Sequence, residues 1–184
     1  MTPLDNKKKN LKKKILIAAK KIKLLILDVD GVLTDGSIIL DNFGNELKSF
    51  HVRDGHGIRM LMKAGIHIAL ITGRQSKVVE NRAHELGIQD VYQKCLDKKR
   101  AYDELARKYS LDNSEIAYIG DDVIDIPVLK ISGLPVVVAD ADQHTKAFAQ
   151  FITSKEGGRG AVREFCDLLL QAKGLRRDWT DGDA

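Results

Sequence analysis

Leu24-Leu25-Ile26-Leu27-Asp28-Val29-Asp30-Gly31-Val32-Leu33-Thr34 is the stretch that decides the fold. Four consecutive apolar residues suit a strand buried on both faces, and this run ends in two carboxylates and a glycine. Ligands of open α/β sheets bind outside the carboxyl ends of such strands. Asp28 and Asp30, two residues apart, project to the same side if the extended geometry continues. Like charges so close are costly unless a cation lies between them. Mg²⁺ suits that need, because it takes one or two carboxylates together with phosphate and water. Gly31 lets the chain turn sharply after the pair. The plain alternative for an isolated pair of this kind is two solvated loop carboxylates.

Outward from this strand, residues 66–71, 116–119 and 136–139 form three more short runs rich in β-branched residues. Between them, residues 57–64, 76–86, 98–109, 123–130 and 161–172 carry helical patterns. Strand and helix alternating at this spacing predict a doubly wound, Rossmann-like α/β fold with a parallel sheet. One stretch interrupts the alternation. Residues 37–40 and 46–52 read as two strands around Asp41-Asn42-Phe43-Gly44-Asn45, a β-hairpin flap directly after the first strand. A two-stranded ribbon is marginal alone, so its apolar face is expected to meet a partner rather than remain a surface flap.

Composition bounds the rest. The chain has 184 residues, 43% of them apolar, which suits one domain with a full core and excludes a disordered chain. Residues 1–23 hold nine Lys against Asp5, a local charge of +8 that leaves the remainder at −4 within a total of +4. The basic balance therefore belongs to an N-terminal segment. Leu11, Ile15, Ala18, Ala19 and Ile22 have the spacing of a short helix packing before the first strand, with residues 7–14 as a solvated extension. No aromatic residue precedes Phe43, so the arm has no base-stacking surface and no nucleic-acid partner is expected. The longest apolar runs are far short of a membrane span or a secretory core, and Cys95 and Cys166 suit free thiols of a reducing compartment. Cytoplasmic localisation follows. The expected division is an extension and helix over 1–22, a domain over 23–174 and a tail over 175–184.

Three more signals follow in chain order. Ile71-Thr72-Gly73-Arg74 ends a strand and leads toward a helix, where a hydroxyl and free N–H groups form an anion site. Lys98 opens the next helix after Asp97 and offers a positive charge, although a lone Lys there is commonly just solvated. Gly120-Asp121-Asp122-Val123-Ile124-Asp125 again places acids at a strand end, and Asp122 and Asp125 also suit N-caps. DxDGxxT, hTGR, Lys and GDDxxD, each after an apolar strand, together resemble the haloacid dehalogenase-like phosphatase superfamily over residues 24–172.

The resemblance implies Asp28 as nucleophile toward phosphorus and Asp30 as general acid and base. It implies Mg²⁺ held by Asp28, the Asp30 backbone carbonyl and Asp121, with Thr72, the Gly73 N–H and Lys98 on the phosphoryl oxygens. Lys98 is preferred to Lys99 for its family spacing. Only about 30 residues separate Thr34 from Ile66, and 23 separate Arg74 from Lys98, so no globular cap domain fits. The expected site is open.

Residues 24–36, 50–58, 117–122 and 156–172 are further similar to the 3-deoxy-D-manno-octulosonate 8-phosphate phosphatase family, within lipopolysaccharide biosynthesis. That family implies a capless homotetramer whose hairpins associate and whose neighbouring subunits help cover each site. For its anionic sugar-acid phosphate it implies contacts from Asp30, Lys98, His51, Val52, Arg53, Asp54, Gly55, Ile124, Arg59, Arg74 and Arg82. Arg74 and Arg82, eight apart, are expected to share one helix face. Arg159, in the Gly157–Gly160 loop, is expected to reach toward a neighbouring site. His51 departs from a relative that carries Asn, and the histidines have no zinc spacing. The alternatives are a phosphatase of a related nonulosonate phosphate and a noncatalytic phosphatase-like binding or scaffold module.

Overall fold

The structure, a computed structural model, describes the backbone of residues 3–175 and the side chains of residues 10–175. Its elements run α1 (Pro3–Lys21), β1 (Leu24–Leu27), β2 (Ile39–Leu40), β3 (Glu46–Leu47), α2 (Val52–Lys63), β4 (His67–Ile71), α3 (Lys77–Leu86), β5 (Asp90–Tyr92) and α4 (Lys98–Tyr109). They continue with β6 (Ile116–Gly120), α5 (Ile126–Leu129), β7 (Leu134–Val137), α6 (Gln143–Lys146), β8 (Phe151–Ile152) and α7 (Ala161–Ala172).

Six strands form one parallel sheet in the order β5-β4-β1-β6-β7-β8, and β2-β3 form the separate antiparallel hairpin. The chain builds outward from β1 through β4 to β5, then returns to start the other half at β6. Strand order therefore reverses between β1 and β6, where doubly wound sheets open a crevice. Register is fixed by Leu27 opposite Leu70 on one side and Ile119 on the other. Every residue of β1, β6 and β7 is buried, as both-face coverage demands. Helix α7 packs on α1 and α2, and α4 packs on α5. This is the doubly wound parallel sheet with a hairpin flap and no cap that the sequence predicts.

Several boundaries differ from expectation. The hairpin turn lies at 41–45 as expected, with Asp41 Oδ1 accepting from the N–H groups of Phe43 and Asn45, both at 2.8 Å. The strands, however, are two residues each, shorter than 37–40 and 46–52, because the chain leaves the ribbon at its base, where Lys48 turns to Asp30 and α2 begins at Val52. Helix α2 starts at Val52 rather than residue 57, despite Gly55 and Gly57, which usually weaken a helix. Close packing explains the glycines: a Cβ at Gly55 would lie 2.3 Å from the Arg82 guanidinium, and one at Gly57 3.0 Å from Arg163. The run at 136–139 leaves the sheet after Val137, and the segment at 123–130 begins as a 3₁₀ turn, Val123–Asp125, before α5.

Helix α1 is continuous through the lysines, so the helix begins well before Leu11, and the lysine side chains within residues 10–14 are exposed as expected. Ile15, Ala19 and Ile22 are buried as expected, whereas Leu11 is exposed. The expected tail lies, after Leu175, outside the described residues. Among the described residues no helix is long and apolar enough to cross a membrane.

Candidate active site

Asp28 follows β1 directly, and its N–H bonds the Ile119 carbonyl at 3.0 Å, so the sheet itself fixes its backbone. Its Oδ1 accepts from the Val29 N–H at 2.7 Å. Gly31 then adopts φ +85°, and a Cβ there would lie 2.1 Å from Asp121 Oδ2. Only glycine lets the first loop pass so close to the acid at the end of β6.

Asp125 is fully buried and every one of its oxygens is used. Oδ2 accepts from the N–H groups of Asp121 (2.9 Å) and Asp122 (3.2 Å). Oδ1 accepts from the Tyr118 hydroxyl at 2.5 Å and from Lys98 Nζ at 2.7 Å. Lys98, the first residue of α4 behind the Asp97 cap, also places Nζ 2.6 Å from Asp28 Oδ2. Asp125 is thus more than the helix cap its position suggests. It joins β6, the loop after it and the lysine that faces Asp28. Asp122 is the cap, accepting from the Val123 N–H at 2.7 Å.

One ligand oxygen each from Asp28, Asp121 and Asp125 lie within 4.8 Å of one another. Asp121 Oδ1 is buried without a hydrogen-bond partner. Burial, reinforced by Asp125 and against the pull of Lys98, raises the Asp28 carboxyl to about 7. Burial together with Asp28 and Asp125 raises Asp121 to about 8. Burial alone would lower the Lys98 ammonium, but Asp28 and Asp125 more than offset it and hold it above its ordinary value. This is a site with excess negative charge and an unpartnered oxygen, and it fits a hard divalent cation. Asp125 is the poorest ligand of the three, its lone pairs being committed.

Thr72 follows β4, buried, with its N–H on the Tyr92 carbonyl at 2.9 Å and its hydroxyl accepting from the Arg74 N–H at 3.3 Å. The expected helix terminus is not there. Helix α3 starts only at Lys77, so Thr72 and Gly73 offer their groups from a loop. Asp28, Asp30, Thr72, Gly73, Arg74, Asp121, Asp122 and Ile124 line one cleft of about 300 Å³.

The predicted substrate set is divided. Arg74 precedes α3 and bonds Glu46 Oε1 at 2.8 Å, whereas Arg82 lies on α3, paired with Glu85 at 2.8 Å and facing the Phe50 ring. They do not share a helix face, because the loop after β4 takes Arg74 out of the helical register. Arg59, Arg82, Val52 and Gly55 line a second cleft of about 350 Å³. His51, Asp54 and Gly55 line a smaller hollow beside it. Asp54 is buried and accepts from the Arg163 N–H at 2.7 Å, tying α7 to α2, while Arg53 is exposed. Arg159 is exposed, with a guanidinium nitrogen 3.4 Å from Asp35 of its own chain. Its loop packs so tightly that a Cβ on Gly157 would lie 1.8 Å from the Gly31 carbonyl oxygen.

Sequence reasoning missed Glu46, Lys48 and Tyr118. Lys48 Nζ bonds Asp30 Oδ1 and sits 3.3 Å from Glu46 Oε1, with its side chain only 2% exposed. A Lys two residues after a Glu at the end of a hairpin carries no local signal of this. Tyr118 lies in an apolar strand, where its hydroxyl gives no hint of its partner.

Residues 87–165 match the family profile of haloacid dehalogenase-like hydrolases. The 3-deoxy-D-manno-octulosonate 8-phosphate phosphatase KdsC of Escherichia coli K12 is 50% identical over 160 residues, 87% of this chain and 85% of that protein. A haloacid dehalogenase superfamily hydrolase from Legionella pneumophila superposes with a TM-score of 0.90 at 49% identity, covering 91% of this chain and 92% of that one. The Moraxella catarrhalis 3-deoxy-D-manno-octulosonate 8-phosphate phosphatase, solved with magnesium, phosphate and the sugar acid, superposes with a TM-score of 0.86 at 44% identity over 88% and 93% of the two chains. The chain belongs to the haloacid dehalogenase-like hydrolases and, within them, to the 3-deoxy-D-manno-octulosonate 8-phosphate phosphatase family.

Proposed function

We propose that this protein hydrolyses 3-deoxy-D-manno-octulosonate 8-phosphate to the free sugar acid and phosphate through an aspartyl phosphate on Asp28. The observation that carries the reading is the buried Asp28–Lys98–Asp125 chain at the strand switch point, with Asp121 beside it. An Asp28 carboxylate oxygen forms a bond to phosphorus as the ester oxygen leaves. Asp30 gives that alkoxide its proton, then takes one from the water that cleaves the acyl phosphate and restores Asp28. Lys98 orients Asp28 and offers positive charge to the transferring oxygens, together with the Thr72 hydroxyl and the Gly73 N–H.

Mg²⁺ would be held by Asp28, the Asp30 backbone carbonyl and Asp121, and when bound it offsets the repulsion between a carboxylate nucleophile and a phosphate dianion. Asp121 Oδ1, buried and unpartnered, supports that assignment. Arg74 would take the substrate carboxylate, and its position beside Asp30 in the lining of the cleft supports that role. Arg59, Arg82, Val52, Gly55, His51, Arg53 and Asp54 would add further substrate contacts, with neighbouring subunits of a homo-oligomer, a tetramer, helping to cover each site. The open cleft and the exposed Ile38, Leu40, Phe43 and Leu47 of the hairpin support this assembly. Free Cys95 and Cys166 suit the cytoplasm.

Phosphate release from a panel of sugar phosphates, with and without EDTA, tests the reading. Release is expected from the eight-carbon sugar-acid ester in Mg²⁺, falling on chelation, and Asp28→Asn is expected to lower it at least about 10⁴-fold. Absence of release in Mg²⁺, or unchanged turnover in Asp28→Asn, would overturn it.

A further inference from the structure

We propose that Lys48 is a positioning residue for Asp30, the counterpart on the hairpin of Lys98 for Asp28. The inference rests on the phosphatase reading above and adds a group that the motifs do not contain. A Lys side chain with only 2% exposure must be paired, since an unpaired buried ammonium is too costly to keep. The partners of Lys48 are Asp30 Oδ1 and Glu46 Oε1. Glu46 is itself pinned by Arg74 at 2.8 Å, so the ammonium is fixed from the side away from Asp30. With Arg74 at 2.8 Å and Lys48 at 3.3 Å from the same oxygen, the Glu46 carboxyl stays ionised as this anchor.

Asp30 needs such a tether more than Asp28 does. Asp28 is locked by the Val29 N–H and by Lys98, each to one oxygen. Asp30 is a quarter exposed, and its other contact is Arg74 Nε at 3.9 Å from Oδ2, beyond hydrogen-bond length. Among the described residues, Lys48 alone gives the Asp30 side chain a close, directed bond. A proton-transferring carboxyl must meet the ester oxygen in one orientation, and misplacement by about 1 Å can cost about 10²-fold in rate. Lys48 therefore sets the geometry of proton transfer from the hairpin. It couples the position of that ribbon to the chemistry.

The experiment compares two esters, the sugar-acid 8-phosphate and p-nitrophenyl phosphate, whose phenolate leaves without a proton. Lys48→Met is expected to lower the single-turnover rate of leaving-group release about 10- to 100-fold for the sugar ester and less than about threefold for the aryl ester, because the proton that Asp30 later takes from water is common to both esters and lies outside that step. Lys48→Arg, which keeps the charge and the tether, is expected to recover most of the loss and to show the same ester dependence. In an Asp30→Asn background Lys48→Met is expected to add nothing, because its effect passes through that carboxyl. Equal losses on the two esters, or losses that multiply in the double variant, would overturn the inference. Should Lys48→Met fail to fold, Lys48→Gln, which stays polar but loses the charge and the reach to Asp30, decides in the same way. A wild-type protein inactive on both esters would instead end the phosphatase reading.

Discussion

The carboxyl ends of β1 and β6 and the hairpin rim contain the same residue types, Asp, Glu and Lys, yet hold them differently. At the strand ends the backbone is fixed by the sheet, the side chains are buried, and Asp125 alone receives four hydrogen bonds. On the rim the ribbon is two residue pairs long, and its apolar side chains face outward. The strand ends are preorganised within one chain, as a site for charge development in the transition state must be. The rim leaves surface for something else to cover. Fold and chemistry are thus coupled at the strand ends and separable on the rim, and variants can attack that distinction directly.

The largest effect is expected at Asp125. Asp125→Ala strips the partner from Lys98, Tyr118 and two backbone N–H groups at once. Removing one member of a buried ion pair costs about 3–5 kcal/mol, so urea unfolding should show a loss of that size, with phosphate release abolished. A loss within about 1 kcal/mol would mean that the network does not hold the strand ends together.

Asp121 sharpens the comparison in the other direction, because here function is expected to cost stability. In the folded metal-free protein its carboxyl keeps its proton up to about 8, chiefly through burial, whereas in the unfolded chain it ionises near 3.8. As pH climbs between those values the unfolded state releases a proton that the folded state retains, so folding stability falls. Asp121→Asn removes this dependence. In EDTA, calorimetry should find the variant melting several degrees above wild type at pH 8 and alongside it near pH 4. Excess Mg²⁺ should stabilise wild type more than the variant. A variant less stable than wild type in EDTA at pH 8 would contradict the charge excess.

The same contrast explains what could be read in advance. Leu24–Leu27 and Ile116–Gly120 are apolar strands that end in acids, so pattern and chemistry coincide there. Strands β5 and β8 have three and two residues, too few for a periodic signal, and owe their existence to neighbours already in the sheet. The early start of α2 was hidden by Gly55 and Gly57, which reflect close packing on Arg82 and α7 rather than a break. Asp125 looked like a cap because its local bonds are those of a cap, while Lys98 and Tyr118 arrive from other elements. Lys48 was invisible for the same reason: Asp30 lies 18 residues away in sequence. What stays hidden in sequence is contact between ordinary residues across the fold.

Phe43 offers the smallest effect on the fold and the clearest separation of the two regions. Its ring is 91% exposed at the tip of the hairpin, so within one chain it has little packing to lose. Phe43→Ser should therefore change unfolding free energy by no more than about 0.5 kcal/mol when measured on the dissociated chain. If the rim is an interface between copies, the same ring is buried there, and burying an aromatic side chain of this size dominates local interface energy. The variant should then show a lower mass by light scattering at equal concentration. Its catalytic efficiency on the sugar ester should fall with mass, while Asp28, Lys98 and Asp125 remain in place. A variant of unchanged mass and efficiency would make the hairpin a free flap, and closure of the cleft would have to come from elsewhere. A variant that also loses several kcal/mol as an isolated chain would mean that rim and strand ends fold as one unit, and the distinction between them would fail.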